Sequence, residues 1–205
     1  MKLAGKILTA GAVAGVAIAG AVVSGAGAAD PPAQGAGLVD SYRIVGTQNN
    51  DSYVVTLSDS GRLVVRSRLQ TITPISPPLG CRVDSSFQVS CNPGLIKSVV
   101  ARLKRGRDKL VVRKHVRLPI LAVGGPGGDR LIAGDGPATL RGKRGPDRLS
   151  GNGGANLLSG GMGRDVIRTG PRANRVRGGP GFDVCIDNRK GTNRFRGCGV
   201  IRRVP

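Results

Sequence analysis

The stretch GGPGGDRLI (Gly124–Ile132), AGDGPATLR (Ala133–Arg141), GKRGPDRLS (Gly142–Ser150), GNGGANLLS (Gly151–Ser159), GGMGRDVIR (Gly160–Arg168), TGPRANRVR (Thr169–Arg177), GGPGFDVCI (Gly178–Ile186) decides the fold. It is seven nine-residue units laid end to end without a gap. A fixed short period is the mark of a solenoid, in which each unit buries its apolar face only against its neighbours. The eighth place reads Leu131, Leu140, Leu149, Leu158, Ile167, Val176 and Cys185, so it faces inward. The seventh and ninth places are often Arg, Ser or Thr and face outward, which is the in–out alternation of a short strand. The first six places are rich in Gly and Pro and form the turn. One unit is thus a turn plus a strand. Two units make one coil with two sheets, and the fold class is all-β, a parallel β-roll.

Because turns alternate between the two edges of such a roll, units two apart are neighbours. The sixth place of the odd units is Asp129, Asp147, Asp165 and Asp183; that of the even units is Ala138, Asn156 and Asn174. One edge therefore carries an unbroken line of carboxylates and the other none.

The unit resembles the G-G-x-G-x-D-x-U-x nonapeptide of the repeats-in-toxin (RTX), haemolysin-type, family of calcium-binding β-rolls. The resemblance implies Ca²⁺ as cofactor, a hard cation that takes six to eight oxygens in flexible geometry. It implies carboxylate ligands Asp129, Asp147, Asp165 and Asp183. Carbonyl ligands would come from the glycine turns: Gly124, Gly125 and Gly127; Gly145; Gly160, Gly161 and Gly163; Gly178, Gly179 and Gly181. Up to three sites are expected between four acidic turns, with the other edge held by hydrogen bonds alone. Lys143, Arg144 and Arg164 depart from the family pattern, since a nearby cation competes for a carboxylate. Asp–Arg pairs in place of metal are the alternative.

Outward from the repeats, residues 1–29 read as a secretory signal. Lys2 and Lys6 precede an apolar run from Ile7 to Val23, and Ala26-Gly27-Ala28 is a small-residue cleavage site. Residues 30–37 read as a linker and 38–123 as a β-rich segment. Strands are expected over Ser41–Val45, Tyr53–Leu57, Leu63–Ser67 and Phe87–Ser90, with Asp59-Ser60-Gly61 as a hairpin turn. Gly46 to Tyr53 looks like a degenerate unit with Asp51 at the sixth place. Within this segment, residues 95–123 form a basic hinge with nine Lys or Arg against one Asp. There Leu103–Val111 fits the unit at its fourth, sixth and eighth places, and strands are expected over Val99–Lys104 and Lys109–Arg113. Asp108, flanked by Arg107 and Lys109, is expected to pair with an arginine. The β-rich segment is either a separate domain or the first coils of one solenoid.

Four cysteines fit an oxidising compartment. Three pairings are possible; short loops favour Cys81–Cys91, stapling a hairpin, and Cys185–Cys198, pinning residues 187–205 as a cap on the roll.

The chain carries 32 Lys and Arg against 12 acids, a net charge of +20. Every acid is Asp. Such a surface attracts anionic polymers in a salt-dependent way, so a metal-independent cationic adhesion or envelope-binding module is the second reading. With few aromatics to stack bases, nothing specifies nucleic acid. One His and no Glu or Trp, with no G-x-S-x-G, leave no recognisable catalytic set, and an enzyme is not expected.

Overall fold

The computed structural model describes residues 41–69, 80–188 and 192–204. The expected leader and linker, residues 1–37, lie outside them, as does the segment with Thr73-Pro74 and Pro77-Pro78, whose prolines mark an expected loop. The described strands are, in chain order, β1 (Ser41–Val45), β2 (Ser52–Leu57), β3 (Leu63–Ser67), β4 (Cys81–Ser85), β5 (Gln88–Cys91), β6 (Ser98–Arg102), β7 (Lys109–Val112), β8 (Ile120–Pro126), β9 (Arg130–Ile132), β10 (Ala138–Arg144), β11 (Arg148–Ser150), β12 (Asn156–Met162), β13 (Val166–Arg168), β14 (Arg175–Arg177), β15 (Val184–Asn188), β16 (Arg194–Arg196) and β17 (Val200–Val204). No α-helix occurs among the described residues, and none of them forms a helix long and apolar enough to cross a membrane.

Two sheets result. One has seven parallel strands in the order β1-β6-β8-β10-β12-β14-β16. The other has ten, ordered β17-β15-β13-β11-β9-β7-β2-β3-β5-β4. The eighteen-residue coil sets the register: Leu131 faces Leu149, which faces Ile167, which faces Cys185. Across the roll, Leu140 faces Leu158 and then Val176. All seven of these inward side chains are buried, at no more than 2% exposure, and they stack between the sheets as the eighth-place column predicts. Removing one leucine side chain from such a stack costs about 2–5 kcal/mol.

The repeats do not begin the solenoid. β1, β6 and β8 continue the seven-stranded sheet, and β2 and β7 continue the other. Tyr53 faces Leu110, which faces Leu131, so the degenerate unit and the basic hinge are built as coils of the same roll. The hinge turn carries no long Gly-Pro signature, yet its strands Ser98–Arg102 and Lys109–Val112 form within a residue or two of the expected spans.

Between the first two coils the chain detours through β3, β5 and β4, paired antiparallel beyond β2. The Asp59-Ser60-Gly61 turn joins β2 to β3, closed by Ser58 N–H to Arg62 O and Gly61 N–H to Ser58 O. Leu63, Val65, Val89, Cys91 and Ile96 from this detour join the core that Tyr42, Ile44 and Val55 begin. The Cys81–Cys91 disulfide ties β4 to β5. At the far end, Cys185–Cys198 links the last inward place to the segment between β16 and β17, and Cys198 and Phe195 of β16 pack against the core.

Candidate metal edge

The sixth-place aspartates form one continuous ladder. Each but the last, Asp183, donates its backbone N–H to the carboxylate of the aspartate in the next coil. Asp129 N–H reaches Asp147 Oδ1 at 2.7 Å, Asp147 N–H reaches Asp165 Oδ1 at 2.8 Å, and Asp165 N–H reaches Asp183 Oδ1 at 2.9 Å. Thus the four residues singled out by spacing do share one edge, in neighbouring coils.

The ladder is longer than four. Asp108 N–H donates to Asp129 Oδ1 at 2.9 Å and Asp51 N–H to Asp108 Oδ1 at 2.7 Å. The expectation that Asp108 pairs with an arginine is therefore corrected. Its Oδ1 accepts a backbone N–H and its Oδ2 has no partner. The reason is geometric: the sixth place points into the turn, whereas Arg107 and Lys109 stand on its outside.

All six aspartates are buried, none more than 2% exposed. Oδ2 of Asp108, Asp129, Asp147, Asp165 and Asp183 is enclosed without a hydrogen-bond partner. An ionised oxygen left in that state is costly. Burial pushes Asp108 up to about 7, Asp129 to about 6 and Asp147 to about 7, and raises Asp165. The neighbouring carboxylates push Asp108, Asp147 and Asp165 the same way, while the accepted N–H bonds pull back in all four.

The exception is instructive. Asp51 Oδ2 accepts the Thr47 N–H at 2.6 Å and its Oδ1 accepts the Thr47 hydroxyl at 2.9 Å. Thr47 is the second residue of its turn. In the later turns on this edge the second residue is Lys104, Gly125, Lys143, Gly161 or Gly179, each at positive φ. The carboxylates of these turns have no partner of the kind that Thr47 supplies.

The fourth residue of these turns (Gly106, Gly127, Gly145, Gly163, Gly181) also has positive φ, which glycine adopts at no steric cost. The first glycine is needed for another reason. A Cβ on Gly124, Gly142, Gly160 or Gly178 would strike Oδ2 of Asp129, Asp147, Asp165 or Asp183.

The opposite edge is closed by amides. Ala138 N–H donates to Asn156 Oδ1 at 2.9 Å and Asn156 N–H to Asn174 Oδ1 at 3.1 Å. Asn156 Nδ2 gives its protons to Gly151 O at 2.7 Å and Gly154 O at 2.6 Å, and also lies 2.9 Å from Asn174 Oδ1. Asn174 Nδ2 likewise donates to the Gly170 and Arg172 carbonyls. Asn193 extends the row, accepting the Asn174 N–H at 3.0 Å. Sequence spacing misses Asn193 because it follows Asn174 by nineteen residues rather than eighteen.

The donor set suits a hard cation. Five buried carboxyl oxygens without partners line one edge, and the described salt bridges, Arg82–Asp84 and Arg203–Asp187, lie elsewhere. Among the described residues no three carboxylates, imidazoles or thiols gather at one point. An ion on this edge would therefore draw on two carboxylates and on backbone carbonyls of the glycine turns, an all-oxygen set of the kind calcium takes.

Fold and edge together define a parallel β-roll of glycine-turned nonapeptides with a carboxylate ladder along one side. Residues 132–167 match the model of the RTX calcium-binding nonapeptide repeat as four copies, a family whose ion is calcium. Asp147 and Asp165 fall inside the matched segment, and Asp129 and Asp183 flank it. Comparison with curated proteins and with solved structures found no match.

Proposed function

We propose that this chain is a secreted, non-catalytic calcium-binding protein whose roll completes its folding when the ion reaches the carboxylate edge. The observation that carries the reading is the row of enclosed, partnerless Oδ2 atoms on Asp108, Asp129, Asp147, Asp165 and Asp183. Bound calcium supplies positive charge and open coordination positions for these oxygens.

The chain's own part is to bring the oxygens together. In the unfolded chain the aspartates are separate, hydrated and ionised. Folding stacks Asp129, Asp147, Asp165 and Asp183 at one-coil spacing and strips their water. Without a cation that step is opposed by desolvation and mutual repulsion. With one, binding free energy adds to folding free energy. Asp129, Asp147, Asp165 and Asp183 are the carboxylate ligands, and Gly124, Gly125, Gly127, Gly145, Gly160, Gly161, Gly163, Gly178, Gly179 and Gly181 build the carbonyl side of the edge. Secretion is supported by the signal-like residues 1–29 and by two disulfides, which persist in oxidising compartments. Calcium-poor cytoplasm would then keep the roll loose until export.

Circular dichroism and thermal unfolding of the mature chain, in millimolar calcium and in chelator, test the reading. The expected result is a large gain in strand signal and midpoint with calcium. Identical spectra and midpoints in both would leave a roll that folds without metal.

A further inference from the structure

The outer face of the seven-stranded sheet holds a groove of about 860 Å³ that borders the metal edge at Gly160 and Gly161 and otherwise runs over strands the edge does not use. Its basic residues come in rows. Arg141, Arg177 and Arg196 occupy the ninth-place column; Arg175 and Arg194 occupy the seventh. Lys143 and Arg144 close one end. All of these side chains are exposed, no acidic residue lines the groove, and none of them makes an ion pair among the described residues.

Two of the contacts run against stability. Arg175 lies directly opposite Arg194 across β14 and β16, and Arg177 directly opposite Arg196. Like charges in that relation repel, and here no acid intervenes. Four guanidinium groups thus crowd two adjacent strands without a counter-charge from the protein.

We propose that this groove binds a linear carboxylated polysaccharide running across the strands. Neighbouring strands stand about 5 Å apart, so the rows present cations at about 5 and about 10 Å intervals, a spacing of the order at which carboxylates recur along an acidic sugar chain. Guanidinium groups take carboxylates bidentately. Leu157 and Met162 give the floor exposed apolar surface on which a sugar ring can rest. A single-stranded nucleic acid fits less well, because no aromatic ring lines the groove to stack a base. A bilayer is flat, and the groove is concave.

The test is titration of the folded mature chain with hyaluronan oligosaccharides over a salt series, in calcium and in chelator, with circular dichroism to confirm the fold. Arg175→Gln with Arg177→Gln removes two charges from the groove. Arg168→Gln with Arg202→Gln removes two from the ten-stranded sheet. The expected result is saturable, salt-weakened binding that falls about tenfold or more in the first variant and stays within twofold of the parent in the second. Equal loss in both variants would overturn the groove. So would tighter binding of oligo-dT, or of phosphatidylglycerol vesicles, than of hyaluronan. Calcium dependence of folding is read separately from the spectra, so this result and the calcium reading stand or fall apart.

Discussion

On one edge of the roll Asn156 and Asn174 occupy the sixth place of their turns; on the other Asp129, Asp147 and Asp165 do. Both side chains use Oδ1 for the same purpose, accepting the N–H of the residue one coil earlier. They differ in the second atom. An amide nitrogen donates to the turn's own carbonyls and is satisfied. A carboxylate oxygen in the same kind of place has nothing to donate and is stranded. One isosteric atom therefore separates an edge that closes by itself from one whose second oxygens have no partner.

The largest expected effect comes from converting one edge into the other. Asp147→Asn with Asp165→Asn keeps the Oδ1 acceptors and removes two stranded charges. In chelator the variant should be more stable than the parent by about 1–3 kcal/mol per site, the cost of an unsatisfied buried group. Its response to calcium should shrink correspondingly; the parent should gain about 2.7 kcal/mol per site at a hundredfold excess over the dissociation constant. Chemical denaturation in both buffers measures the two shifts. A variant less stable than the parent in chelator and equally responsive to calcium would break the comparison.

Acid should do reversibly what those substitutions do permanently. The carboxyls of Asp108, Asp129, Asp147 and Asp165 bind protons more tightly in the roll than in the unfolded chain. Groups of that sign stabilise the fold below their unfolded value near 4, and the benefit is lost as pH rises through about 6 to 7. The metal-free roll should therefore be more stable at pH 4 than at pH 8. Calcium affinity should run the other way, because bound carboxylates must be deprotonated. Melting at four or five pH values, with and without calcium, gives two curves of opposite slope. A metal-free roll that gains stability between pH 5 and 8 would contradict the assignment.

A pair of alanine variants compares the first glycine on each edge. On the carboxylate side, a Cβ at Gly160 meets Asp165 Oδ2 and, at 2.8 Å, the Gly178 carbonyl, which is backbone and cannot give way. On the amide side, a Cβ at Gly151 meets side-chain atoms, Asn156 Nδ2 at 2.6 Å and Leu158 Cδ1 at 3.3 Å. Gly160→Ala should cost about 2–3 kcal/mol and Gly151→Ala about 1 kcal/mol. Thermal midpoints in calcium check the order.

The edges also differ in how legible they were. The eighth-place column and the eighteen-residue register of residues 124–186 could be read directly, since glycine punctuation and an inward apolar place recur at a fixed period. Asp129, Asp147, Asp165 and Asp183 followed from that period alone. Asp51, Asp108 and Asn193 sit on the same two rows but at separations of 57, 21 and 19 residues from their ladder partners. An insertion changes the count without changing the stack, because loops absorb extra residues outside the coil. The detour β3-β5-β4 is the extreme case: most of the 57 residues between Asp51 and Asp108 leave the roll and return to it. Whether a turn leaves its carboxylate stranded was not legible at all. Of the six second-place residues only Thr47, which is outside the positive-φ region, bonds its aspartate, through its N–H and its hydroxyl.

That second residue gives the smallest and sharpest test. Lys104 and Lys143 hold a place where Gly125, Gly161 and Gly179 stand in the equivalent turns, at φ of 72° and 97°. A side chain in that region is strained by about 1 kcal/mol or more, and each lysine adds a cation to a turn whose carboxylate awaits one. Lys143→Gly should stabilise the calcium-loaded roll by about 1 kcal/mol, the relief of strain being partly offset by glycine's greater freedom when unfolded. It should also tighten calcium binding by a small factor, because a competing charge near Asp147 is gone. Lys143→Gln separates the two contributions: it keeps the strained backbone and removes the charge, so it should move calcium affinity while leaving the melting temperature in saturating calcium nearly where it was. If Lys143→Gln reproduces the whole stability gain of Lys143→Gly, charge rather than backbone strain governs the second place of the turn.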